Sequence, residues 1–200
     1  MNITTLILDR GHSTLDSNGK YITPGKQFKY PDGLHVYEGF ENQKYVEALG
    51  LYAQLKGFKV MYTVHPARAI DPSLVSRVKI ANQSKNASNS LFISVHNNAG
   101  GGEGTEIFTS IGNTKSDLFA ESILNEIKVL YPDRKIRSDL KDGDKDKEDN
   151  FYVIKYTSMP AILIEYGFFD NRKDYEFLSN RNNIDKLAKA TIDGIIKINK

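Results

Sequence analysis

Ser90-Leu-Phe-Ile-Ser-Val95 runs directly into His96-Asn-Asn98, and Ala161-Ile-Leu-Ile164 runs directly into Glu165-Tyr-Gly167. Both are short apolar runs of the length and composition of strands buried in a parallel sheet. The run from Thr4 to Asp9, ahead of Arg10-Gly-His12, has the same character, as do Lys59–Thr63 and Thr105–Thr109. Between these runs the apolar spacing changes to that of helices. Val46, Leu49, Tyr52 and Ala53 form one stripe, closed by Gly57 as a C-cap; Leu74, Val75, Val78 and Ala81 form a second. Phe119, Ile123, Ile127 and Leu130 form a third, opened by a Thr114/Asp117 capping box, and Ile184, Leu187, Thr191, Ile192 and Ile195 a fourth. This alternation predicts an α/β fold: a single three-layer domain over residues 1–200, with a largely parallel twisted sheet flanked by helices, phosphorylase/hydrolase-like. Phe151–Ile154 reads as a further strand, residues 13–37 as a long loop, and 133–150 as a charged loop.

Composition narrows the function classes. With 200 residues, 40% hydrophobic and 26% charged, the chain has enough apolar material for one core without covalent staples. The absence of cysteine excludes disulfides, thiolate metal clusters and cysteine nucleophiles. Lys+Arg 27 against Asp+Glu 25 gives +2, too balanced for a nucleic-acid surface. No apolar run exceeds four residues, so no membrane insertion is expected. The N-terminal residues carry neither a basic region nor a signal-type apolar stretch, which predicts synthesis in the cytoplasm without a signal peptide. Lys141–Asp149 holds three lysines, five acids and no apolar residue. Its alternating acids lack the Gly and the closing Glu of an EF-hand, so it reads as a solvated loop.

Three ionisable residues end apolar runs: His12, His96 and Glu165. In a parallel sheet all three project into the crevice at the carboxyl ends of the strands. Glu38 stands just before the first helix and can join them. Two imidazoles and one carboxylate form a zinc set that leaves a position for water, and a further carboxylate can accept a proton. Spacing alone fits a pair of structural histidines equally well, and Glu41 could replace Glu38.

The ordered motifs carry more. Leu8-Asp-Arg-Gly-His12, Glu38-x3-Asn42, Arg77-Val-x-x-Ala-Asn82, Phe92-Ile-Ser-Val-His-Asn-Asn-Ala99, Gly104-Thr-Glu106 and Pro160-Ala-Ile-Leu-Ile-Glu-Tyr-Gly-Phe-Phe-Asp-Asn171 follow one another along the chain. Together they resemble the zinc-dependent N-acetylmuramoyl-L-alanine amidases of sporulation, cell separation and phage lysis. The resemblance runs from about residue 4 to about residue 196. It implies one Zn2+ per chain, held by His12, Glu38 and His96, with Glu165 as the catalytic carboxylate. It also implies peptidoglycan as substrate, cut between N-acetylmuramic acid and L-alanine. Without a signal peptide the enzyme is expected to meet the wall after release or export, which fits a phage or prophage endolysin and equally a bacterial amidase expressed without its leader. Asn98, Arg77 and His35 are the candidate substrate contacts; His65 reads as a surface residue and Glu106 as structural. Ser13-Thr14 replaces the Gly-Gly that often follows the first histidine. The alternatives are a zinc peptidase acting within the stem peptide and a non-catalytic peptidoglycan-binding module. A monomer is expected.

Overall fold

The apolar runs lie side by side in one sheet, in a computed structural model that describes residues 2–141 and 143–199. Its strands are β1 (Thr5–Arg10), β4 (Lys59–Tyr62), β5 (Ser90–Asn98), β6 (Glu106–Thr109), β7 (Lys147–Glu148) and β8 (Ala161–Phe168). Their order across the sheet is β4-β1-β5-β8-β6-β7. Neighbours are parallel except β6 against β8, which is antiparallel.

Alternation along the central strands divides the core into two. Leu6, Leu8, Leu91, Ile93, Val95, Ile162, Ile164 and Tyr166 face one side. There they pack on the long helices α1 (Glu38–Leu55), α3 (Lys115–Leu130) and α6 (Arg181–Ile198), and on Leu178 of α5 (Arg172–Ser179). Ile7, Phe92, Ala161 and Leu163 face the other side, covered mainly by the short helices α2 (Leu74–Ala81) and α4 (Tyr152–Lys155). Two short helices cannot cover the whole face. Its uncovered part, at the carboxyl ends of the strands, becomes the site.

The predicted caps form. Thr114 Oγ1 accepts the Ser116 amide at 3.1 Å while Asp117 accepts the Thr114 amide at 2.6 Å, and Gly57 takes φ 86° beyond α1. Four features differ from the sequence reading. Phe151–Ile154 is no strand: Phe151 is the N-cap of α4, whose Val153 and Ile154 pack on the sheet. A four-residue apolar run gives periodicity nothing to distinguish the two. Residues 13–37 are not all loop, since β2 (Gln27–Lys29) and β3 (His35–Tyr37) form an antiparallel hairpin. Tyr30 and Val36 of this excursion bury a small cluster against Phe169.

Residues 133–150 are only partly solvated. β7 extends the sheet beside β6, and buried Asp146 accepts a hydrogen bond from Thr109 Oγ1 at 2.6 Å. Asp142 of this segment lies outside the described residues. Finally, Glu38 does not stand ahead of the first helix: α1 begins at Glu38, which is itself helical.

At the amino end of β1, Ile3 and Asn199 clasp each other. The Asn199 side chain donates to the Ile3 carbonyl at 2.7 Å and accepts the Ile3 amide. No helix among the described residues is long and apolar enough to cross a membrane.

Candidate active site

On the thinly covered face, apolar side chains give way to polar ones toward the strand ends. Ile7 is followed on that face by Asp9 and Gly11, Phe92 by Ser94 and His96, and Leu163 by Glu165. One turn past β1, His12 has φ 62°, the single positive value at a non-glycine among the described residues. Such a backbone costs about 1–3 kcal/mol and persists only where its surroundings enforce it. Gly11 has no room for a side chain, because a Cβ there would fall inside the His96 ring. Gly39 meets the same limit against the Ser13 carbonyl, which lets the start of α1 close on the end of β1.

That closure delivers Glu38 between the two histidines. Its Oε1 lies 3.4 Å from His12 Nε2 and 3.1 Å from His96 Nδ1. The imidazoles stand edge-on, centroids 5.2 Å apart. One donor atom from each of the three residues lies within 4.8 Å of the others. Burial alone would raise the Glu38 carboxyl, but hydrogen bonds and charge from His12 and His96 hold it well below the usual carboxylate range. Asn42, one turn further along α1, donates to the Gly11 carbonyl at 2.9 Å and to Glu38 Oε1 at 3.4 Å. Asn97 donates in turn to Asn42 at 2.8 Å, which ties helix and strands into one frame.

Glu165 pairs across the sheet with His96 on one side and Glu106 on the other. It is half-buried in the cavity wall, and its buried Oε2 has no hydrogen-bond partner. Burial first, and the nearby Glu38 and Glu106 charges second, push its carboxyl well above the usual range. Glu106 is handled differently. It accepts from Asn98 at 2.5 Å, Arg137 at 2.7 Å and Lys147 at 2.6 Å. The charged segment 133–150 thus sends two cations inward to neutralise the acid beside Glu165.

The other candidates fall into two groups. Asn98 and Arg77 line the same cavity, which measures about 400 Å³. Arg77, however, is committed beneath it. Its guanidinium bonds Asp9 at 2.8 Å, Asp71 at 2.7 Å and the carbonyls of Arg10 and Pro72. Burial alone would raise Asp9, but Arg77, Thr63 and Ser94 together bring its carboxyl below the ordinary value. His35 lies exposed on β3 with Nδ1 3.1 Å from the Tyr37 hydroxyl, away from the residues that line the cavity. His65 packs against Tyr62, and Glu41 pairs with Lys44 at 2.7 Å rather than with a histidine. Sequence reasoning missed Asp9, Lys26, Arg137 and Lys147. Asp9 could have been found, since it continues the alternation Ile7, Asp9, Gly11. The others carry no local signal.

The donor set suits a metal. Two imidazoles and a buried carboxylate converge with outer amides holding them, and an acid that is no part of the set stands alongside. This constellation has relatives. The chain is 36% identical over 124 residues to the N-acetylmuramoyl-L-alanine amidase CwlM of Bacillus licheniformis, covering 58% of this chain and 44% of that protein. It is 33% identical over 129 residues to the endolysin of Bacillus phage SPP1, covering 62% of this chain and 45% of that one. It therefore spans less than half the length of these two relatives. A solved N-acetylmuramoyl-L-alanine amidase from Clostridium difficile 630 shares the fold, with TM-score 0.78, 24% identity and 98% and 97% of the two chains covered. The family model for N-acetylmuramoyl-L-alanine amidase matches residues 6–197. From β1 to the last turn of α6, the chain belongs to the N-acetylmuramoyl-L-alanine amidase family.

Proposed function

We propose that the protein is a zinc hydrolase that cuts the amide between N-acetylmuramic acid and L-alanine in peptidoglycan. The observation that carries this reading is the His12–Glu38–His96 group with unpartnered Glu165 beside it. His12, Glu38 and His96 would hold one Zn2+ per chain. Zinc bound there would bring the pKa of its water down to about 7 and polarise the scissile carbonyl.

The remaining steps belong to the chain. Glu165 takes a proton from the attacking water at a carboxylate oxygen. It then returns that proton to the alanine nitrogen as the carbon–nitrogen bond breaks, so the amine leaves neutral. An unpartnered carboxyl suits both transfers, because no fixed donor occupies the oxygen that must take and return the proton. Asn98, anchored through Glu106 and lining the cavity, would hydrogen-bond the substrate. The enzyme acts as a monomer on the wall after release or export, and its likeness to a phage endolysin favours a lytic role.

Mass spectrometry of products released from purified peptidoglycan, with and without a zinc chelator, tests this. The expected products are stem peptides with a free L-alanine amine, lost under chelation. Glu165→Gln should retain zinc yet release them about 10²–10⁴ times more slowly. Cleavage at an internal peptide bond would replace the amidase reading with a stem peptidase. Wall binding without release would make the domain a binding module.

A further inference from the structure

One cation in the cavity has no part in the chemistry above. Arg77 is held by two aspartates and two carbonyls, and Arg137 and Lys147 are held by Glu106. Lys26 is not held in this way. Its Nζ lies 4.0 Å from Glu38 Oε2, too far for the 2.7–2.9 Å of a charge-assisted hydrogen bond, and its side chain is 48% exposed. It lines the cavity with His12, Glu38, His96 and Glu165. Its charge also favours the ionised form of Glu165.

The backbone under Lys26 is built, not loose. Three residues before it, Thr23 donates to Asp71 at 2.6 Å and accepts the Ser13 amide at 2.9 Å. The Lys26 carbonyl accepts the Glu38 amide at 2.9 Å, and the next residue opens the β2–β3 hairpin. A fixed stem with an exposed head that no hydrogen bond holds is what a charge-responsive group needs. A lysine ammonium has three donors on a flexible chain and can follow charge as it moves.

We propose that Lys26 is a further catalytic residue of the amide hydrolysis, donating a hydrogen bond to the scissile carbonyl oxygen as negative charge builds there. This rests on the amidase reading. When water adds to the carbonyl carbon, the carbonyl π electrons move onto oxygen and Glu165 takes the water's proton. The carbon–nitrogen bond then breaks and the nitrogen takes that proton. Lys26 keeps its own protons throughout and acts only through charge. Its contribution therefore belongs to the transition state more than to the bound substrate.

The test compares wild type, Lys26→Met and Lys26→Arg on a soluble muramyl-peptide. It also measures the affinity of each for a phosphinate that carries tetrahedral geometry at the scissile carbon. Lys26→Met should lose about 100-fold in kcat, with KM within about twofold of wild type. Phosphinate affinity should fall by a similar factor at unchanged zinc content, and Lys26→Arg should recover part of both. Unchanged kcat with raised KM would make Lys26 a ground-state anchor and overturn the proposal, as would no change in either constant. If wild type releases no alanine-terminated peptide, the amidase reading fails, and the phosphinate comparison still decides whether Lys26 senses tetrahedral charge.

Discussion

At the scale of single residues, the metal-type group depends on an atom that is missing. Gly11 lets the His96 ring lie against the backbone of the turn that carries His12. Gly11→Ala should therefore displace an imidazole and weaken zinc binding about 10–100-fold, as loss of a supporting group does. Chelator competition on the purified variant would measure this, and wild-type affinity would refute it. His12, His96 and Glu165 were legible because each ends an apolar run, so their common destination follows from strand geometry. Glu38 was a candidate from its place beside the first helix, and the family spacing to Asn42 set it ahead of Glu41. The Glu106 partners were not legible, since Arg137 and Lys147 reach it across 31 and 41 residues of chain. Arg77 shows a further limit: a guanidinium that lines a cavity can still face inward to hold Asp9.

Among the elements, the long amphipathic ones announced themselves and the short ones did not. α3 was readable from its stripe and its cap together. Its capping box implies that Thr114→Ala costs about 1 kcal/mol, or roughly 2–4 °C in Tm for a chain of this size. Differential scanning calorimetry would show the shift, and an unchanged Tm would mean that the box adds nothing in this setting. α4, β2, β3 and β7 have two to four residues each, too few for any pattern to repeat. Tertiary contacts decide such segments. β7 exists because β6 offers it an edge, and the β2–β3 hairpin closes on Phe169. The parallel sheet and its two-sided covering were legible in full from the central strands. The antiparallel reversal at β6 was not, because alternation does not encode strand direction.

For the molecule as a whole, the Asp9–Arg77 clamp links stability to acidity. Asp9 has a folded-state pKa below its ordinary value, so in acid the unfolded chain binds the extra proton. Its contribution is complete above about pH 4, the ordinary aspartate pKa, and is lost as pH falls toward the folded value. Urea midpoints should stay level in neutral solution and decline below about pH 4. Asp9→Asn should lower the pH 7 midpoint by the equivalent of about 3–5 kcal/mol, because it leaves Arg77 buried without its counter-charge. A variant as stable as wild type at pH 7 would show that the clamp is dispensable.

The clasp between Ile3 and Asn199 has a consequence of another kind. It joins the two ends of the described fold at the amino edge of the sheet, while the cavity opens beyond the carboxyl edge. Six residues of β1 at about 3.3 Å each put roughly 20 Å of packed core between them. A cargo tethered to either end would hang from the back of the molecule and leave the groove clear for a long polymer. A linker of a few residues could join the ends into a ring, which could then be reopened at a surface turn as a circular permutant.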